Sequence, residues 1–221
     1  MLTVQELNRF IEEQSAEGDV QRVWERLGEQ FEQARADLPR ESAMQRREVS
    51  FHDHVRLLGY LCALLGDAPG DLVEIGVWKG KSLALMNEVG RHRRVIGIDP
   101  FVLPKQFEEF SHYQRRLLPD AEIIHGFSEL SAEHFYALEP RVALLHIDGG
   151  HTKRNVLLDY LIYAPAVVPG GFVVFDDYAD WEYSPEVGPA VDLLRAGGFF
   201  DDFHVVGCAH GFENSYVLQR R

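Results

Sequence analysis

Apolar positions along this chain follow two different periods. Val20, Val23, Trp24, Leu27 and Phe31 fall three or four residues apart, which places them on one face of a helix. The pattern predicts helices over 3–15 and 18–37, the second ended by Leu38 and Pro39. A third helix is predicted over 50–66, stopping near Gly66. From Asp71 the texture changes to short apolar runs at 72–75, 94–98, 121–125, 142–147 and 172–175, each followed by a stretch of helix length. Such runs predict strands buried on both faces of a parallel sheet. Their alternation with helices predicts an α/β, doubly wound architecture. Beyond the turn Val168-Pro169-Gly170-Gly171 and the strand it precedes come a predicted helix near 186–196 and strands near 203–207 and 214–219. The chain thus divides into a helical N-terminal extension, 1–48, and a main domain, 49–221. The apolar face of the extension needs a cover: the main domain, a second copy in a homodimer, or an active site over which it forms a lid.

Composition narrows the partners more than the fold. The 221 residues suit one α/β domain with an extension. No apolar run reaches the length of a membrane span. The first residues lack a basic start and an apolar core, so no secretory signal is expected and the cytoplasm is the simplest compartment. Cys62 and Cys208 sit among apolar neighbours and read as buried small hydrophobes. A net charge of −13 argues against nucleic acid as a partner, because that binding depends on Lys and Arg displacing counterions. A small molecule is the expected partner.

In a doubly wound sheet, ligands bind outside the carboxyl ends of the strands. After the first strand comes Glu74-Ile75-Gly76-Val77-Trp78-Lys79-Gly80-Lys81-Ser82. Gly76 permits a tight turn and close approach of a ligand, and Gly80 stands where a helix begins. The second strand ends in Asp99, 19 residues past Gly80, a separation that suits a carboxylate on a ribose diol. After the third strand, Gly126 and Ser128 are placed to edge an adenine ring, and Ser128 could equally cap the next helix. The fourth strand ends in His146-Ile147-Asp148-Gly149-Gly150-His151, and the fifth in Asp176-Asp177-Tyr178. If these strands are neighbours, three carboxylates converge. Two such charges about 4 Å apart repel by roughly 4 kcal/mol at an effective dielectric near 20. Protonation, solvent or a cation would relieve them, and hard oxygen ligands in that number suit Mg²⁺, with Mn²⁺ or Ca²⁺ also fitting.

Together, the glycine turn after V-E-I-G, the acidic Asp99, and L-x-x-x-x-V-V-P-G-G-F before the fifth strand resemble class I S-adenosylmethionine-dependent methyltransferases over roughly residues 50–221. The pairing of H-I-D-G-G-H with F-D-D-Y is similar to the macrocin O-methyltransferase and cephalosporin hydroxylase-like subgroup. The resemblance implies a Rossmann-like methyltransferase sheet, mostly parallel with the last strand antiparallel. It implies S-adenosylmethionine held by Glu74, Gly76, Gly80, Ser82, Asp99, Gly126, Ser128 and Asp148. It also implies a divalent metal on Asp148, Asp176 and Asp177. The 28-residue spacing from Asp148 to Asp176 resembles the catechol type as well, but that type ends in Asp-Asn and carries a Lys three residues after its first ligand. Here that position is His151, which becomes the candidate general base, with Asp148 as the alternative.

The implied reaction is metal-dependent methyl transfer to a hydroxyl of a sugar or other natural-product intermediate, a catechol-like phenol being the second choice. Trp181 and Tyr183 are candidates to stack on the acceptor, and His52 and His54 precede the core with structural roles favoured. Dinucleotide oxidoreductases are disfavoured, because Trp78 stands where the second glycine of G-x-G-x-x-G belongs. A non-catalytic cofactor-binding protein is the remaining alternative.

Overall fold

A computed structural model describes residues 1–15, 18–38 and 55–221. Helix α1 (Val4–Ser15) starts at a capping box: the Glu6 amide donates to Thr3 Oγ1, and Glu6 Oε2 accepts from the Thr3 amide. Helix α2 (Asp19–Ala36) buries the predicted stripe, with Val20, Val23, Trp24, Leu27 and Phe31 all inside. Helix α3 (Arg56–Leu65) falls within the third predicted helix, whose residues 50–54, with His52 and His54, lie outside the described residues.

Strand β1 (Asp71–Ile75), helix α4 (Lys81–Val89), β2 (Val95–Asp99), α5 (Gln106–Leu117), β3 (Glu122–His125), α6 (Ser128–Ala137), β4 (Val142–Ile147), α7 (Lys153–Tyr163) and β5 (Val167–Phe175) then alternate. Helix α8 (Val187–Ala196), β6 (Phe203–Gly207) and β7 (Tyr216–Arg220) follow. The sheet order is β3-β2-β1-β4-β5-β7-β6. Strands β1 to β5 pair in parallel, and β7 runs antiparallel to both neighbours. This is the Rossmann-like methyltransferase sheet that the resemblance implied. One local difference lies in β5. The Val168–Gly171 run, expected as a turn, continues the strand as an irregularity: Gly170 takes φ +84 and the β4 register shifts opposite it.

Helices cover both faces. Leu7, Val23, Leu61, Leu85 and Phe110, from α1 to α5, share one core with Leu72 and Leu144 of the sheet. Phe135, Tyr160 and Val191, from α6, α7 and α8, share the other with Val73 and Leu145. The apolar face of the extension is therefore covered within the chain; Phe31 stacks against Tyr113 of α5 with ring centroids 5.1 Å apart. Cys62 is buried and Cys208 half-buried, both as free thiols. No described helix is long and apolar enough to cross a membrane.

If α2 belongs to this core, Phe31→Ala should cost about 3–5 kcal/mol. Urea unfolding should show that loss in a single transition. An unchanged midpoint would make the N-terminal helices an appendage.

Candidate active site at the carboxyl edge of the sheet

The carboxyl edge is tied together by backbone bonds that continue past the strands. The amide of Gly76 donates to Ile98 O at 2.9 Å, that of Asp148 to Ile75 O at 2.9 Å, and that of Asp176 to Ile147 O at 3.0 Å. Gly76 takes φ +89, and a Cβ there would lie 1.9 Å from the carbonyl oxygen of Asp148. The close approach that Gly76 permits is thus to the neighbouring strand end. Gly80 takes φ +80 and opens α4, and a Cβ there would press on Leu118 and Phe110 at 3.1 Å. Its missing side chain makes room for α5.

A cavity of about 500 Å³ opens on this edge, lined by Gly76, Asp99, Ser128, Asp148 and His151 among others. Glu74, Gly80, Ser82 and Gly126 are not among its lining residues; Glu74 is buried in the sheet and Ser82 within α4. Asp99 is buried and already engaged. It accepts from the Trp78 amide at 2.8 Å and the Phe101 amide at 2.6 Å, with Gln106 Nε2 at 3.4 Å. Burial raises its carboxyl above the usual range, although those amides pull it down. Gln106 Nε2 is the longest of these contacts and the one a ligand hydroxyl would replace. Trp78, Phe127, Gln106 and Asn155 also line the cavity and were not singled out from sequence. Trp78 sits at φ +50, a backbone state that no periodicity announces. Ser128 opens α6, but its hydroxyl donates to Asp159, a buried residue of α7 that sequence reading missed entirely.

The three carboxylates do reach one edge, in two overlapping groups. Asp148, His151 and Asp177 offer donor atoms all within 4.8 Å of one another, and so do His146, Asp148 and Asp176. Asp177, two residues past the end of β5, takes φ +58 and joins the group that holds His151, while Asp176 joins the one that holds His146. Asp176 is buried and accepts from Ser215 Oγ at 3.2 Å. Asp148 is raised well above the usual carboxylate range, first by desolvation and then by the charge of Asp176.

Behind this group lies a buried pair: His146 Nδ1 stands 2.8 Å from Glu74 Oε1, across the β1–β4 register. Burial opposes charge on the ring, but the bond to Glu74 and the charges of Asp148 and Asp176 prevail, raising it to about 9. In front, Ser184 fixes His151. The Ser184 hydroxyl donates to Asp177 Oδ2 at 2.6 Å and meets His151 Nδ1 at 2.8 Å. A hydroxyl has one hydrogen, so Nδ1 is the donor in the second bond. His151 Nε2 then faces Asp177 at 3.4 Å and Asp148 at 3.8 Å. The ring is raised from its ordinary value, chiefly by Asp148.

A family model described as a methyltransferase domain matches residues 73–178, the stretch that carries this edge. Uncharacterized protein R132 of Acanthamoeba polyphaga mimivirus is 31% identical over 169 residues, covering 72% of this chain and 76% of that protein. In fold, the chain is similar to the O-methyltransferase NovP, with 22% identity and TM-score 0.55 over 75% of this chain and 78% of that one. It is also similar to the MycE methyltransferase of the mycinamycin biosynthetic pathway, solved with Mg, SAH and mycinamycin VI. There the identity is 17% and the TM-score 0.53, over 72% of this chain and 46% of that one. The methyltransferase-domain match, together with the fold, supports a class I methyltransferase. The chain belongs to this family of methyltransferase-domain proteins and is an S-adenosylmethionine-dependent methyltransferase.

Asp159, raised by burial to about 6, predicts a pH signature. The unfolded chain loses this proton near pH 4 and the folded chain near 6. The neutral acid therefore contributes stability that is full below pH 4 and lost as pH rises through 6. Relative to Asp159→Asn, wild type should lose about 3 kcal/mol between pH 4 and 7, read by denaturant unfolding at each pH. Parallel profiles would contradict the burial argument.

Proposed function

We propose that this methyltransferase moves the methyl group of S-adenosylmethionine to a hydroxyl of a small molecule, a sugar or other natural-product intermediate. The observation that carries this reading is the continuity of the cavity with the acidic edge. Gly76, Asp99, Ser128, Asp148 and His151 all line the cavity, and Asp148 and His151 also belong to the acidic group. A sulfonium methyl needs no covalent enzyme intermediate. The S–C bond breaks as the O–C bond forms, its electron pair stays on sulfur, and the acceptor oxygen gives up a proton. The protein's main task is alignment, worth up to about 7–11 kcal/mol.

In this reading Asp99 holds the ribose while Gly76 lets β1 pass close beneath the methionine end. Asp148 closes the cofactor site toward the acceptor. His151 takes the proton on Nε2, the nitrogen left facing the carboxylates by the Ser184 contact. Asp148, Asp176 and Asp177, in two groups that share Asp148, offer carboxylate oxygens of the type a divalent cation, Mg²⁺ or another, takes. When bound, such a cation polarises and acidifies an acceptor hydroxyl. The Mg in the MycE structure supports that assignment. The loop from Tyr178 to α8 supplies Trp181 and Tyr183, both exposed and available to stack on the acceptor. Asp180 Oδ1 accepts from the amides of Glu182 and Tyr183, which shapes that loop.

Calorimetric titration with S-adenosylhomocysteine should give one saturable site, weakened at least about tenfold in Asp99→Ala by loss of charged hydrogen bonds. A folded protein that does not bind would refute the cofactor placement. Mg²⁺ titrated into the cofactor-loaded protein should bind once per chain and fail in Asp148→Ala. Equal binding by that variant would remove the metal assignment.

A further inference from the structure

Asp159 is a carboxylate where helix packing calls for an apolar side chain. It is 1% exposed, and its Oδ2 has no hydrogen-bond partner. A half-satisfied buried carboxylate is costly, so its two contacts matter. Oδ1 accepts the hydroxyl hydrogen of Ser128 at 2.5 Å. Oδ2 lies 3.0 Å from where a Cβ on Gly149 would stand. Ser128 and Gly149 both line the cavity, so Asp159 sits directly behind its wall. The Ser128 backbone is held as well, because Tyr163 donates its hydroxyl to the Ser128 carbonyl at 2.6 Å.

A serine hydroxyl carries one hydrogen and two lone pairs. With that hydrogen committed to Asp159, Ser128 can only accept from whatever fills the cavity. Asn155, also in the lining, has the complementary bias. Its Oδ1 accepts from the Thr152 hydroxyl, which leaves its Nδ2 hydrogens to donate. A lining with one committed acceptor and an amide that can donate matches the edge of adenine, whose 6-amino group donates beside accepting ring nitrogens. Hypoxanthine reverses both: its 6-oxo group accepts and its N1–H donates.

We propose that Asp159 is a specificity-determining residue which, by taking the Ser128 hydroxyl hydrogen, makes the purine end of this cavity select a 6-amino over a 6-oxo nucleoside. The inference rests on reading the cavity as the S-adenosylmethionine site. Asp159 touches no ligand; it acts through Ser128, which loses the freedom to turn and donate.

The test compares S-adenosylhomocysteine with S-inosylhomocysteine, identical but for the 6-oxo group. Both are titrated by calorimetry at pH 8 into wild type, Asp159→Ala and Ser128→Ala. Wild type should prefer the 6-amino ligand at least about tenfold, the cost of leaving a buried polar group mismatched. Each variant should bring the two affinities within about threefold. A general loosening of the fold would weaken both ligands together and leave their ratio unchanged, so the ratio isolates the proposed role. Equal affinities in wild type, or a tenfold preference kept by Asp159→Ala, would overturn it. Should Asp159→Ala fail to fold, an unchanged preference in Ser128→Ala, a change at the cavity surface, would overturn it equally. Binding of S-adenosylhomocysteine with a flat ratio rejects this inference alone. Binding of neither ligand by folded wild type rejects the cofactor placement as well.

Discussion

Strand β1 can end beside β4 because residue 76 has no side chain. A Cβ there would stand 1.9 Å from the Asp148 carbonyl oxygen, closer than any non-bonded contact allows. Everything at the carboxyl edge follows from that contact. It sets the end of β4, and with it the height of Asp148 at the junction of the cavity and the acidic group. The amide bonds Gly76 to Ile98 and Asp148 to Ile75 continue the ladder one residue past the strands. Asp99 then receives the Trp78 amide from the turn that Gly76 begins. A glycine chosen for backbone reasons thus organises a site whose reactive groups lie on four different strand ends.

The second constraint is electrostatic. Glu74, His146, Asp148 and Asp176 are drawn together on adjacent parallel strands, and two register partners among them, Glu74 and His146, form a buried pair. Burying such a pair is at best weakly stabilising, because desolvation offsets most of the attraction. Its effect is local: a raised imidazole sits beneath Asp148 and Asp176 and offsets part of their repulsion. The opposite side of Asp148 has only half-exposed His151 and Asp177, locked by Ser184. The carboxylates therefore differ in role although they are alike in sequence. Asp176 meets Ser215 and His146, and Asp177 meets Ser184 and His151.

Most of the architecture was legible in the sequence, because the periods of burial are local. The stripe Val20, Val23, Trp24, Leu27 and Phe31 gave α2, and the five short runs gave the parallel strands. Asp148, Asp176 and Asp177 could be placed at one edge because parallel strands bring all their carboxyl ends to the same side. The sequence by itself also marked the turn after β1 through Gly76 and Gly80, though not the left-handed Trp78 between them.

Only the tertiary structure decided what those residues touch. Gly80 makes room for Phe110 of α5 and for Leu118 just past its end, contacts set by packing between segments 30 and 38 residues apart along the chain. Glu74 belongs to His146, 72 positions away, and Ser128 to Asp159, 31 positions away. Ser184 reaches His151 across a loop with no periodic signal. Local period fixes which face a residue occupies. Its partner on that face is set by sheet order and strand register, which arise from the whole chain packing at once.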